Sequence, residues 1–345
     1  MTTAYLTHPR YLEHNLPGHP EHAGRIQAVW SKLEESGLAS RMKRAEATPV
    51  TDAQILAVHE ARYLDVFQQI ALLSPDEVGM LDHDTYALSV TPEVARLAAG
   101  GVVDSVDLVL RGEADNALAA VRPPGHHAIP RRGMGFCLLG NIAIAARHAQ
   151  KAYGIERVLI VDYDVHHGNG TQDMFYEDDS VLFISTHQSP FYPGTGRLEE
   201  TGNGSGKGYT LNIPLPAGQG DKNYATIFEQ IVWPAARRFQ PGLILISAGF
   251  DAHWTDPLAA MKLTLTGYDA LTRQLIAMAK ELCGGKIVFV MEGGYNLEAL
   301  GYGVANIARA LLGDDAITDP LGKGSQRPEP DISALIQQIK ALHQL

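Results

Sequence analysis

The chain has 345 residues, 45% of them hydrophobic and 19% charged, enough for two average domains or one large α/β domain with a sizeable core. Lys and Arg number 28 against 39 Asp and Glu, a net charge of -11, which argues against binding nucleic acid through its phosphates. The two cysteines sit in apolar surroundings, no run reaches transmembrane length and the N-terminus lacks an apolar signal core, so a reducing, cytoplasmic setting without a membrane is expected.

Residues 3–6 (TAYL) read as a short strand, followed by a loop rich in His, Pro and Gly through Glu21. A helix is expected from Glu21 to Glu35, with Ile26, Val29, Trp30 and Leu33 on one face, and a second over 52–74. The segment Ser74–Tyr86 reads as an acidic loop. Thr91-Pro92-Glu93 opens a helix to about Leu110, with proline in the first turn. Asn116–Val121 is a strand that ends in Arg122-Pro123-Pro124-Gly125-His126-His127, and 139–153 is a helix.

The run Val158–Gly170 is the most informative. Four β-branched or aliphatic residues give way to Asp162, Asp164, His166, His167 and Asn169. The apolar half reads as a buried parallel strand, and the polar half falls at its carboxyl end, where open α/β sheets place their sites. Asp162, Asp164 and His166 alternate, so on extended backbone they point the same way. A short helix near 171–176 follows, then a strand over Val181–Ser185 and a Gly/Pro-rich loop from Pro190 to Gly208 long enough to line a site. Tyr209–Ile213 and Leu243–Ser247 are strands, with a helix over Tyr224–Phe239 between them. The second strand ends in Asp251-Ala252-His253. A helix at 267–282 leads to strand Lys286–Met291, which ends in Glu292-Gly293-Gly294-Tyr295-Asn296. Helices at 297–312 and 331–343 complete the chain.

Strand–helix alternation of this kind predicts an α/β fold with a mainly parallel sheet flanked by helices. With no repeat, no linker and no break in composition, one domain over 1–345 is expected: 1–115 as helical and loop decoration, 116–313 as the strand–helix core, and 314–345 as a tail with a terminal helix. Four strands end in polar loops, and in a parallel sheet those ends share one edge. His126, His127, Asp162, Asp164, His166, Asp251 and Tyr295 can therefore converge. Asp164, His166 and Asp251 would give two carboxylates and one imidazole, the three-ligand set of a catalytic zinc with an open position. His126 and His127 supply acid/base groups, and Tyr295 a donor for an oxyanion. Taken singly, each has a plainer reading: a turn histidine, a helix cap at Asp251, a core tyrosine.

In combination these stretches resemble the histone deacetylase / acetylpolyamine amidohydrolase family, of arginase–deacetylase fold, and within it the class II-like bacterial type. The matching segments are HPEHAGR (19–25), RPPGHHA (122–128), GFCLLGN (135–141), DYDVHHGNGTQDMFY (162–176), FYPGTG (191–196), SAGFDAHWTDPL (247–258) and EGGYN (292–296). The resemblance implies an eight-stranded sheet and one catalytic Zn2+, or Fe2+, on Asp164, His166 and Asp251. It implies His127 as general base and acid, Asp162 as the partner of His126, and Tyr295 as the carbonyl-polarising tyrosine. Phe136 and Tyr192 would wall a narrow tunnel, with Gly135 and Leu258 lining it, Arg25 beneath the site near an acetate exit, and Asp84 as a rim acid. It also implies a structural K+ on Asp162, Ser185 and the backbone carbonyls of Asp164, His166 and Thr186. Asn169 stands where class I members carry Asp. It can accept from the His127 imidazole but brings no charge, which predicts a neutral His127 at pH 7.

The expected reaction is hydrolysis of an N-acetyl amide on a long aliphatic amine, the partner being an acetylated lysine peptide or an acetylated small amine such as a polyamine. Leu258, after Asp256-Pro257, lacks the glutamate that selects polyamines in one family variant. A two-metal ureohydrolase of arginase type would need a second Asp where His253 stands and another at Asn169. A non-catalytic acyl-lysine binder would not need His126, His127 and Tyr295 together.

Overall fold

The computed structural model describes residues 1–324 and 327–345. Its strands are β1 (Thr3–Thr7), β2 (Lys43–Glu46), β3 (Gly79–Met80), β4 (Tyr86–Ala87), β5 (Asn116–Ala119), β6 (Val158–Asp162), β7 (Val181–Gln188), β8 (Thr210–Leu215), β9 (Leu243–Ala248) and β10 (Ile287–Met291). The helices are α1 (Gly24–Glu35), α2 (Asp52–Ile55), α3 (Ala61–Ile70), α4 (Thr91–Leu110), α5 (Asn141–Tyr153), α6 (Asn169–Phe175), α7 (Asp221–Ile227), α8 (Trp233–Phe239), α9 (Leu265–Cys283), α10 (Leu297–Leu311) and α11 (Ser333–His343). Among the described residues, eight strands form one sheet in the order β2-β1-β5-β10-β9-β6-β7-β8, and every pairing in it is parallel.

The central strands have the composition this position demands. β6 (VLIVD), β9 (LILISA) and β10 (IVFVM) are buried along their whole length, as strands covered by helices on both faces must be. Helix α4 packs on α5 and on β1, β5 and β10, while α1, α10 and α9 pack one on the next. The register aligns the carboxyl ends: Asp162 lies opposite Ser185 of β7 and Ser247 of β9, and Met291 opposite Ala248. The loops that follow β5, β6, β9 and β10 therefore open onto one edge.

Several expectations need correction. The N-terminal 115 residues are more than decoration, because β1 and β2 extend the main sheet beyond β5. β2 (KRAE) gives no apolar signal, being a four-residue edge strand whose charged side chains face solvent while Ala45 packs against the core. The expected acidic loop at 74–86 contains the antiparallel pair β3–β4. The helix expected over 52–74 is broken between Ile55 and Ala61. There His59 turns inward, its ring within 3.3 Å of the Pro130 carbonyl and accepting from the Gly140 N–H at 2.9 Å. The helix expected over 224–239 passes through a π-helical turn, Phe228–Val232, just before Pro234, which has no N–H to continue the α ladder.

Candidate active site

β6 delivers three groups at its end. Asp162 Oδ1 accepts the Asp164 N–H at 3.1 Å, and Asp164 Oδ1 accepts the His166 N–H at 2.9 Å, so each carboxylate caps the next peptide of the turn. Asp251, after β9, accepts the Val165 N–H through Oδ1 at 2.9 Å, which ties the two strand ends together. Asp164 Oδ2 accepts the Gly293 N–H at 2.8 Å and brings in the loop after β10. A Cβ on Gly293 would stand 2.1 Å from Asp251 Oδ2 and 2.5 Å from Asp164 Oδ2, so only glycine lets both carboxylates through.

The three candidate ligands meet. His166 Nδ1 lies 3.2 Å from Asp164 Oδ1 and 3.2 Å from Asp251 Oδ2, and the donor atoms of all three residues lie within 4.8 Å of one another. Tetrahedral zinc with bonds of about 2.0–2.2 Å needs donors about 3.4 Å apart. The charge also fits a cation. Burial works against a charged His166, yet Asp164 and Asp251 hold its imidazole up at about 10. Two buried carboxylates that would otherwise draw in a proton are the chemistry a divalent ion satisfies.

The tandem histidines approach from the loop after β5. His126 Nδ1 is 3.0 Å from Asp162 Oδ2, and its Nε2 is 3.8 Å from Asp164 Oδ1. Burial opposes charge on His126, but Asp164 and Asp162 outweigh it and hold the group well above its ordinary value. His127 behaves oppositely. Burial first, then the neighbouring His126 and His166 rings, push it well below its ordinary value. His127 Nδ1 is 2.7 Å from Asn169 Oδ1, while Asn169 Nδ2 faces the His127 carbonyl at 3.5 Å and Met134 Sδ at 3.4 Å. The amide thus presents its oxygen to the ring. His127 donates from Nδ1 and keeps Nε2 free as an acceptor.

Tyr295 is fixed by its backbone. Its N–H and that of Asn296 donate to Asp256 Oδ2 at 2.7 and 3.2 Å, and the Arg25 guanidinium lies 5.0 Å from its ring centre. Burial pushes the Tyr295 phenol well above its ordinary value, which keeps it a donor. Phe136 and Tyr192 flank the centre. The Tyr192 ring stands edge-on to His127 at 5.2 Å, and Phe136 edge-on to Tyr295 at 5.7 Å. Gly135 (φ 56°) and Phe136 (φ 68°) both lie in the left-handed region and form the tight turn that aims the Phe136 ring. A Cβ at Gly135 would meet His127 Cδ2 at 2.5 Å. Asp84 reaches this wall through Thr85, whose hydroxyl donates to Asp84 Oδ1 and accepts the Phe136 N–H. Leu258 is half-buried and donates its N–H to Asp256 Oδ1.

Beneath the site, Arg25 donates to the carbonyls of Gly294 and Glu292. Arg25 and Arg122, both fully buried, share the single carboxylate of Glu21, which Arg122 grips through Nε at 2.8 Å and Nη2 at 2.7 Å. Of the residues implied for potassium, Asp162 and Ser185 are register neighbours, Ser185 Oγ lies 2.9 Å from His187 Nδ1, and the Thr186 hydroxyl donates to the Asp162 carbonyl.

Four contributors escape a reading of the sequence. The Phe191 ring stacks on His166 at 5.4 Å and 19°. Glu292 Oε2 accepts the Gly125 and His126 N–H groups and so sets the height of the tandem histidines. Asp256 holds Tyr295. His167, turned away from His166 as alternation requires, anchors the loop after β7 through Thr195 and is itself held by Gln172 of α6. Glu292 stands directly after a strand, which is a usable signal. The others are fixed by contacts distant in sequence. His126, Cys137 and Glu292 also form a compact group, in which Glu292 and Cys137 accept the Gly125, His126 and His127 N–H groups and His126 Nδ1 faces Asp162.

The chain matches the family description "Histone deacetylase domain" over residues 19–311. It is 42% identical over 350 residues to "Histone deacetylase 14, chloroplastic" of Arabidopsis thaliana, covering 96% of this chain and 82% of that one. It is 40% identical over 330 residues to "Histone deacetylase-like amidohydrolase" of Pseudomonas aeruginosa, covering 95% and 86%. Among solved structures, that titled "Crystal Structure of HDA15 HD domain" superposes with a TM-score of 0.90 at 37% identity, over 99% of this chain and 96% of that one.

Proposed function

The chain belongs to the histone deacetylase family, and from that premise we propose that it is a zinc-dependent deacetylase acting on the acetylated amine of lysine-like substrates. The observation that carries the reading is the meeting of Asp164, His166 and Asp251 beside His127 and Tyr295, where burial holds the imidazole well below and the phenol well above its ordinary value. Those three residues would hold one Zn2+, whose chemistry is to acidify a water and polarise the substrate carbonyl. His127 takes the proton of the attacking water on Nε2, with the Nδ1–H steadied by Asn169. The imidazolium so formed returns the proton to the leaving amine nitrogen as the amide C–N bond breaks. His126, held by Asp162, stands beside the metal set and would help stabilise the negative charge that develops on the carbonyl oxygen. The Tyr295 hydroxyl donates to the same oxygen. Phe136 and Tyr192 line the approach and exclude water around an unbranched alkyl chain, while Asp84 stands at the rim. Asp162 and Ser185, with the Asp164, His166 and Thr186 carbonyls, are proposed to hold K+.

A small acetylated amine is the second reading, because Asp84 and Asp82 act on the Tyr192 hydroxyl at the mouth and would attract a cationic chain. Turnover on a panel of an acetyl-lysine peptide, acetylated polyamines and longer acyl-lysines tests both. The first reading requires the peptide to be cleaved. Buried, unpaired Cys137 and Cys283 favour a reducing compartment such as the cytoplasm. Among the described residues no helix is long and apolar enough to cross a membrane.

A further inference from the structure

The carboxyl ends of the strands carry the chemistry above, but a cavity of about 790 Å³ lies at the opposite edge, where β6, β7 and β8 begin. We propose that this cavity is a second ligand site, for a phosphorylated metabolite of nucleotide size. Its wall carries Arg157, Lys207 and Arg238, and among the described residues no acidic side chain lines it. Arg157 Nε is engaged by the Gln240 carbonyl, and one Arg238 nitrogen by the carbonyls of His343 and Gln344. These contacts hold the guanidinium groups in place without neutralising them. The nearest carboxylate to Arg157 is the exposed Glu156, at 3.9 Å. Lys207 has no partner for its ammonium among the described residues.

Two further polar groups stand in its wall. Thr201 and His343 both line it, at 3% and 5% exposure, and Thr201 Oγ1 and His343 Nε2 are buried without a hydrogen-bond partner. Buried polar groups are rarely left in that state unless a water, ion or ligand meets them. A hydroxyl and an imidazole, whose pKa burial lowers to about 4, stand beside three cations, a donor-rich surface that suits phosphate oxygens. Apart from Gln240 and Gln344 the rest of the wall is mainly apolar, with Tyr209 and Phe239 packed edge to face at 5.9 Å. A bare phosphate would leave that part unused, whereas a nucleotide would place its ring system there. The volume lies within the range of small-molecule sites, about 300–1,000 Å³.

Titration calorimetry of the metal-loaded full chain with ADP, and separately with pyrophosphate, tests this. Saturating acetohydroxamic acid is kept present to occupy the catalytic metal. One ADP should bind per chain, more tightly than pyrophosphate. Lys207→Glu and the nearly isosteric Thr201→Val should each weaken ADP binding by at least about tenfold, with acetyl-lysine turnover and melting temperature unchanged. Absence of saturable ADP binding overturns the proposal, as does affinity unchanged in both variants or binding seen only without the hydroxamate. Pyrophosphate binding as tightly as ADP would overturn the nucleotide assignment.

Discussion

Asn169 orients the proposed base, while burial and the neighbouring His126 and His166 rings keep it neutral. Its amide oxygen receives the His127 Nδ1–H while Met134 and the His127 carbonyl hold the amide nitrogen, so the contact adds direction without charge. Asn169→Asp would set an anion against the ring and raise the His127 pKa. The acidic limb of the kcat/KM profile should move to higher pH, and an unmoved limb would contradict the assignment. Tyr295→Phe removes only a hydroxyl, since Asp256 holds the residue through its backbone. Turnover should fall by about 10²–10³-fold with zinc content unchanged. Near-normal turnover would remove Tyr295 from the mechanism.

At the scale of elements, the tunnel and the floor depend on contacts between distant segments. The loop after β7 carries Phe191 and Tyr192 and is pinned by His167 to Thr195, by His187 to the Gly196 carbonyl, and by Glu200 to the Gly196 N–H. His167→Leu should therefore raise KM more than it lowers kcat, with metal retained. Equal KM in the variant would show that the anchor does not set the wall. The loop before α1 is pinned to the loop after β5 by Glu21, which faces the two buried arginines. Burial alone would raise the Glu21 carboxyl, but Arg122 and then Arg25 overturn this, and it sits at about 2 against an ordinary 4.5. With its pKa depressed on folding, Glu21 contributes stability that is complete above about pH 4.5 and lost as the pH falls toward 2. Glu21→Gln leaves two guanidinium groups short of an anion. It should cost about 3–5 kcal/mol at neutral pH, read by denaturant unfolding, and should flatten the acid dependence. A variant as stable as the parent would contradict the network's role.

Over the whole molecule, one parallel sheet converts four separated sequence segments into one site. That convergence is legible because apolar runs such as Val158–Val161 and Leu243–Ile246 end abruptly in polar residues, and parallel strands put those ends on a shared edge. The alternation of Asp162, Asp164 and His166 is likewise readable from backbone geometry alone. β2 is not, since its charged side chains carry no burial pattern. Nor is the inward turn of His59, whose partners at 130 and 140 lie some seventy residues on. Phe191 and His167 are visible as letters, but their roles depend on how the loop after β7 folds back. The family assignment rests on the whole chain. The catalytic account rests on the three-residue metal set, and it is tested most directly by measuring zinc per chain and acetyl-lysine peptide turnover together, in the parent and in Asp251→Ala. The parent should hold one zinc and cleave the peptide, and the variant should lose both. Full zinc occupancy in Asp251→Ala, or a zinc-loaded parent that cleaves no acetylated amine, would contradict it.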